Sequence, residues 1–385
     1  MIDLPQGFRS YVANVGVKDT TDDLVVVAAE RSVPASALFT KSRFAGPSVT
    51  LSRAHVSNGV AQAVVVISKN ANVATGQRGH DDASEVARLV AERVGCAVDD
   101  VIVASTGVIG RTYPMDRIRT GLAAIPSPLP RTDADGPSVG MMTTDTVPKI
   151  AVATVAGSAA RVVGMAKGVG MIEPDMATHI SLLFTDAVVT SAELDSVFRR
   201  VVDATFNCVS VDTDTSTSDT TAILASNVVA GVDLTALEAA IHAVALELTK
   251  QIARDGEGAQ TLIEVHVDRA RDCAQAKRVA KAIVNSPLVK TAVSGGDPNW
   301  GRVAMAVGKC SDDTDVDQDA VVIRFGDDEV YPKQLDDGAL AALSAYMRGS
   351  DVRIHVSLAT GEAQATVWGC DLSADYVHLN ATYTT

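Results

Sequence analysis

Apolar residues recur along this chain in two alternating rhythms. Short runs rich in β-branched residues, Leu24–Ala28, Ala63–Ile67 and Val101–Ala104, have the length and composition of buried strands. Segments of helical period lie between and after them. One helix is predicted to begin at Asp82 with Glu85 completing a capping box. Val86, Leu89, Val90 and Val94 form its buried stripe, and Gly95 ends it. Ile150–Val155 and Ala159–Val163 flank Ala156-Gly157-Ser158 as the arms of a hairpin. Beyond it, Thr178 stands at the start of a predicted central strand that runs to Phe184. Thr190 and Glu193 can cap a helix whose inner face is Leu194, Val197, Phe198, Val201 and Val202. A longer helix, from Asp233 to about Arg254, puts Leu237, Ile241, Val244, Leu248 and Ile252 on one side. The tract Ile125–Pro137 holds the densest run of prolines and is expected to be an exposed connector, at a lobe boundary or in a long loop. No solenoid-type repeat is present.

This is the grammar of an α/β protein. At 385 residues the chain exceeds the usual size of one domain, so two domains or a two-lobed mixed α/β body with layered sheets and helices is expected. Aromatic residues are only 4% of the chain, against 47% hydrophobic residues, so Ala, Val, Leu and Ile must interdigitate to fill the core. The formal net charge of -14 argues against a phosphate-backbone partner. Nucleic acid and anionic membrane are thus not expected as partners. The five cysteines, Cys96, Cys208, Cys273, Cys310 and Cys370, are scattered without a Cys-x-x-Cys pair, and are expected to be reduced and mostly buried. The first residues lack a basic segment and an apolar stretch, and no apolar run approaches the ~20 residues of a spanning helix. A cytoplasmic protein is expected.

The chemistry centres on Lys167-Gly-Val-Gly-Met-Ile-Glu-Pro-Asp-Met-Ala177-Thr178. Gly168 and Gly170 permit backbone angles closed to other residues, and Pro174 fixes φ. Such a loop can press the Ala177 carbonyl against the Thr178 hydroxyl. An N-to-O acyl shift and hydrolysis would then leave Thr178 as a new N-terminus, nucleophile and amine base in one residue. Read alone, Gly-x-Gly and Pro-Asp are also ordinary loop punctuation. Thr106-Gly107 carries a similar choice between an oxyanion hole, with a hydroxyl and a backbone N–H at a strand end, and a plain strand-to-helix turn. Lys167 read alone is a solvated loop lysine, and Glu257 an exposed turn carboxylate. The acidic runs beginning at Asp212 and Asp313 fail the calcium-loop template, since Thr217 and Gln318 stand where Gly is needed, and Ile223 and Arg324 where the bidentate Glu belongs. The seven His show no zinc-type spacing, and no Gly-x-x-x-x-Gly-Lys-Ser/Thr loop is present. No metal and no nucleotide cofactor are indicated.

The Met176-Ala-Thr178 junction resembles the self-cleaving loop of the ornithine acetyltransferase (glutamate N-acetyltransferase) family. The likeness continues, in order, through Ser105–Gly110, Met142–Thr146, Asp212–Asp219, Asp255–Gly258, Asn285–Thr291, Asp297–Arg302 and Leu379–Thr385. Arg43–Ser48, Asn70–Gly76 and Cys310–Asp315 are similar to the clavulanic-acid-cluster branch of that family, which hints at specialised metabolism. The resemblance implies an N-terminal-nucleophile protein that cuts itself between Ala177 and Thr178, giving an α segment 1–177 and a β segment 178–385. It implies that Thr178 is the nucleophile, that Thr106 and Gly107 hold the oxyanion, and that Thr143, Lys167, Thr178, Glu257, Asn380 and Thr385 contact the amino-acid substrate. It further implies acetyl transfer from N-acetyl-L-ornithine to L-glutamate through an acetyl-Thr178 intermediate. No cofactor is implied, and association of the two pieces into a higher oligomer is. An amidohydrolase or aminopeptidase with the same nucleophile, an acyltransferase for another amino acid, and a non-catalytic regulator are the alternatives. His179 departs from the family, which more often has an apolar residue there; it can tune the amine, contact substrate, or point sideways off the strand.

Overall fold

A computed structural model describes residues 1–173 and 179–382. Two sheets carry the architecture. The larger contains β1 (Phe8–Ala13), β2 (Leu24–Phe39), β3 (Val60–Ile67), β4 (Val101–Ser105), β5 (Lys149–Thr154), β6 (Arg161–Lys167), β7 (Ile180–Ala187) and β9 (Thr220–Val229). Its order is β4-β3-β2-β9-β7-β6-β5, with β1 added along β2. The smaller contains β8 (Val209–Ser210), β10 (Leu262–Ala270), β11 (Val322–Phe325), β12 (Asp328–Tyr331), β13 (Asp351–Ser357) and β14 (Ala363–Cys370), in the order β12-β11-β13-β10-β14-β8.

The three apolar runs read from sequence are segments of β2, β3 and β4, and the hairpin read around Gly157 is the antiparallel β5–β6 pair. Strand β7 is buried at all eight positions. It is antiparallel to β6 on one side and parallel to β9 on the other, so a near-continuous apolar run, not an alternating one, is what its position demands. Strand β2 is long enough to serve two neighbourhoods. Its first half lies between β1 and β3, and Ala35–Phe39 pairs with β9 after a register shift between Ala28 and Val33.

Helices Ser191–Ala204 and Leu234–Arg254 fill the space between the sheets. Their predicted stripes are buried and join Leu183 and Ile223 of the larger sheet with Ile263 and Val265 of the smaller in one core. Thr190 and Glu193 form the predicted reciprocal capping box, and Asp233 caps the second helix by accepting from the Ala236 N–H. A separate core under helices Gly76–Val94 and Met115–Ala123 covers one face of the β2–β3–β4 region. The α/β class and layered arrangement therefore hold. The small, branched core foreseen from composition is what fills them.

Three expectations are corrected. The helix placed at Asp82 begins at Gly76, and Asp82 lies buried within it. Its first turn, Gly-Gln-Arg-Gly, has poor helix propensity. Tertiary contact stabilises it instead: the Asn72 amide donates to the Gly79 carbonyl at 2.8 Å, and a Cβ on Gly79 would strike Thr75. Glu85 forms no cap but accepts from the Arg119 guanidinium at 2.8 Å. The Pro-rich tract is not simply exposed, because Ile125, Leu129 and Ala134 are buried and Arg131 exchanges backbone bonds with Ser10 of β1. Proline bars a regular ladder only at its own N–H; the residues between still pair. Of the five free cysteines, only Cys208 and Cys370 are buried, while Cys273 is exposed on the first turn of helix Cys273–Val284. Among the described residues no helix is long and apolar enough to cross a membrane.

Candidate active site

The end of β4 supplies the first wall. The Thr106 N–H donates to the Ile67 carbonyl at 3.1 Å and the Val108 N–H to the Lys69 carbonyl at 3.3 Å. Between them the Gly107 N–H makes no hydrogen bond within the described residues. Gly107 has φ +129°, and a Cβ there would overlap the Lys69 backbone and lie 2.6 Å from the Asn70 nitrogen. Only glycine fits this turn. At the end of β6, buried Lys167 donates from Nζ to the Thr106 Oγ1 at 3.2 Å. That contact uses a lone pair of the hydroxyl and leaves its hydrogen to point elsewhere.

Behind this wall lies a buried ion cluster. Lys149, with a fully buried side chain, donates to Asp145 at 2.7 Å and to Asp255 at 2.6 Å. Asp145 also accepts from the N–H groups of Thr143 (3.1 Å) and Gly168 (2.7 Å), and Asp255 from that of Thr146 (3.1 Å). One ammonium thus ties the 143–146 turn to the start of the Gly168 loop and to the C-terminus of helix Leu234–Arg254. Two residues on, the Glu257 N–H donates to the Val169 carbonyl at 2.8 Å. Its carboxylate accepts from the Asn380 amide at 2.9 Å. Gly170 faces it so closely that a Cβ would lie 2.7 Å from the carboxylate carbon.

The loop that leads toward residue 178 is strapped down by the 212–215 turn. Asp212 accepts from the N–H groups of Met171 (2.6 Å) and Ile172 (2.8 Å), and the Glu173 N–H donates to the Asp214 carbonyl at 2.9 Å. The Glu173 carboxylate accepts from the Asn285 amide at 2.5 Å.

A cavity of about 200 Å³ opens between these walls. Thr106, Gly107, Thr143, Lys167, Glu257 and Asn380 all line it, so six positions scattered over the sequence converge. Neither the solvated-lysine reading of Lys167 nor the exposed-turn reading of Glu257 survives. Ala177, Thr178 and Thr385 lie outside the described residues. His179, beside them, lines the cavity too: its ring packs against that of Phe206 with centroids 4.6 Å apart and planes tilted by 53°, and Nε2 is 3.1 Å from Ser181 Oγ.

Charge in the cavity is shaped by burial. Desolvation pulls the Lys167 ammonium down, against the pull of Asp145. Desolvation pushes Asp145 up, but Lys167 and Lys149 outweigh it and hold the carboxyl below its ordinary range. Burial, reinforced by Lys167 and Lys149, takes His179 down to about 3 and so keeps it neutral. Burial pushes Asp219 well above the carboxylate range.

Sequence reasoning missed Asp145, Lys149, Asp255, Asp219 and Tyr376 as parts of this site. The carboxylates stood inside the motif blocks, but only three-dimensional convergence separates a buried carboxylate from a loop one. The Asp212–Asp219 run is a polar loop, as expected, and it also forms a cavity wall. The metal-type cluster found among the described residues, His266, Asp268 and His355, lies on β10 and β13, and none of its members lines the cavity.

The model of the ArgJ family matches residues 9–385. The chain is 52% identical over 381 residues to the arginine biosynthesis bifunctional protein ArgJ 2 of Nostoc sp., covering 99% of this chain and 98% of that one. It is 53% identical over 387 residues to the glutamate N-acetyltransferase Oat2 of Streptomyces clavuligerus, with coverage of 99% and 98%. The ArgJ protein of Rhodococcoides fascians is 47% identical over 384 residues, with coverage of 99% and 94%. Matched along nearly its whole length, the chain belongs to the ArgJ family.

Proposed function

We propose that this protein is a glutamate N-acetyltransferase that moves acetyl from N-acetyl-L-ornithine to L-glutamate through an acetyl-Thr178 intermediate, after cutting itself between Ala177 and Thr178. The observation that carries this reading is the convergence of Thr106, Gly107, Lys167, Glu257 and Asn380 on one cavity. In the acylation step the Thr178 hydroxyl attacks the acetyl carbonyl and the α-amine takes its proton. Negative charge develops on the carbonyl oxygen, where the Thr106 O–H and the unengaged Gly107 N–H can receive it. Lys167 fixes the Thr106 hydroxyl and adds positive potential for the substrate carboxylate. Glu257 and Asn380, with Thr143, suit the amino acid's ammonium end, and Thr385 belongs with them on the family pattern. The amine then protonates the departing nitrogen, and glutamate takes the acetyl by the reverse path.

The segments 1–177 and 178–385 are interleaved pieces of one fold. Strands β7 and β9 of the second segment pair with β6 and β2 of the first, so hydrogen-bonded ladders would hold the cut chains together. We also assign the cut heterodimer a higher oligomer. Intact-mass measurement tests processing and acylation together. Added N-acetyl-L-ornithine should increase only the 178–385 piece, by one acetyl group, and glutamate should discharge it as N-acetylglutamate. A discharge that gives only acetate would replace transfer with hydrolysis.

A further inference from the structure

The centre of the smaller sheet carries a second cluster of chemically able side chains. Strands β10 and β13 are its middle pair. They run parallel, with His266 opposite His355 and Asp268 opposite Ser357. Side chains alternate along a strand, so Val265, Val267, Ile354 and Val356 enter the inter-sheet core, while His266, Asp268 and His355 share the other face. A His two positions from an Asp, completed by a His of the neighbouring strand, leaves no mark in sequence spacing.

The three donors have the geometry of a metal site. One ligand atom from each lies within 4.8 Å of the other two. Around a tetrahedral zinc ion with bonds of ~2.0–2.2 Å, donor atoms stand ~3.3–3.6 Å apart, so small side-chain rotations bring the set onto one ion. Two of the donors are held open. His355 Nε2 comes within 3.0 Å of Asp268 Oδ2, yet Nε2 and Asp268 Oδ1 are buried without a hydrogen-bond partner among the described residues. A plain His–Asp pair would align its N–H with the carboxylate, and buried polar atoms left unpaired are costly. The third donor is oriented from behind: His266 Nδ1 meets Thr366 Oγ1 of β14 at 2.9 Å. Such an outer contact fixes the tautomer of a metal-binding imidazole and leaves its other nitrogen free.

The surrounding charge admits a cation. Arg353 and Arg324 stand on the same face, and each has a carboxylate of its own, Glu264 at 3.8 Å and Glu329 at 3.6 Å. Asp268 is thus left to neutralise an ion. The side chains of His355 and Asp268 are 18% and 28% exposed, which gives the ion a way in.

We propose that His266, Asp268 and His355 bind a divalent transition-metal ion, zinc above all, as a clamp across the central strands β10 and β13. Two imidazoles and one carboxylate suit zinc and copper, not the hard cations magnesium and calcium. Water completes the fourth position. Both strands belong to the 178–385 segment, so the site depends neither on the cut nor on acetyl transfer.

The test uses the full chain, freed of metal by dialysis against a chelator and titrated with zinc alone against a chromophoric indicator. One zinc per chain is expected. His266→Gln, Asp268→Asn and His355→Gln should each weaken it ~100-fold or more, and Thr366→Val by about 10–100-fold. Zinc should raise the wild-type melting temperature, further with each tenfold rise in free ion, and magnesium should not. A wild type that binds no zinc, ligand variants that bind it as the wild type does, or an equal rise with magnesium overturns the proposal. So does loss of the zinc in Cys273→Ser, since exposed Cys273 is the competing donor. Should the ligand variants fail to fold, electron paramagnetic resonance of the wild type with one equivalent of copper(II) decides. Nitrogen couplings from two imidazoles support the site, and couplings from one or none overturn it.

Discussion

The Lys167 ammonium and the Thr106 hydroxyl meet at 3.2 Å, joining the end of β6 to the end of β4 across the cavity. Since lysine only donates, the hydroxyl must accept, and its own hydrogen is left free to point elsewhere; under the proposed mechanism it points to the developing oxyanion. Replacing Thr106 by Val keeps the shape and removes that hydrogen. The expected result is a fall in kcat of about 10²–10³ with little change in KM. Lys167→Met should raise KM as well, because it also removes positive charge from the cavity. Steady-state kinetics on processed enzyme separates the two, and a Thr106→Val enzyme with normal kcat would remove Thr106 from the oxyanion hole.

Gly170 and Glu257 give a second, opposite signature. Gly170 has no left-handed φ, so alanine costs its backbone little, yet the added Cβ would sit 2.7 Å from the Glu257 carboxylate carbon. The carboxylate must move and its bond to Asn380 with it. Gly170→Ala should therefore raise KM for the amino-acid substrate about tenfold, the scale of one ~1.4 kcal/mol contact, while the melting temperature stays close to that of the wild type. Gly107→Ala, by contrast, meets backbone on a φ of +129° and should fail to accumulate as folded protein.

The periodic signals made the inter-sheet core legible: the stripes of helices Ser191–Ala204 and Leu234–Arg254 and the capping box at Thr190 all stand where the sequence puts them. The start of helix Gly76–Val94 was not legible, because Gly79 is held by Asn72 and Thr75 and not by propensity. The same limit applied to the site. Thr106, Gly107, Lys167, Glu257 and Asn380 were picked out through motif resemblance. Asp145, Lys149 and Asp255 were not, since nothing in a linear run distinguishes a carboxylate that meets water from one that meets a buried ammonium 106 positions away.

That ammonium carries the third prediction. Lys149→Met would leave Asp145 and Asp255 as neighbouring buried carboxylates without their cation. Breaking a buried pair from one side costs about 3–5 kcal/mol, so chemical denaturation should show a loss of that size, with an unchanged m-value. The Thr143 and Gly168 N–H bonds depend on the same Asp145, so residual activity at low temperature should fall too. A loss under ~1 kcal/mol, the range of an exposed pair, would mean that the cluster is hydrated.

His179 yields the last prediction, and its sign follows from burial. The imidazole has an ordinary value of 6.5 and is held down to about 3 in the fold, first by desolvation and then by Lys167 and Lys149. The unfolded chain therefore binds a proton between those values that the folded chain refuses. Stability attributable to this residue is complete above pH 6.5 and drains as pH falls toward 3, at up to about 1.4 kcal/mol per pH unit. His179→Leu keeps an apolar contact for Phe206 and has nothing to protonate. Between pH 4 and 6 its unfolding free energy should fall with acidification less steeply than that of the wild type, by about that amount per unit. Carboxylates such as Asp145 contribute equally to both curves and cancel in the difference. Urea midpoints at pH 4, 5 and 6 measure it, and parallel curves would show that the imidazole takes up a proton inside the fold.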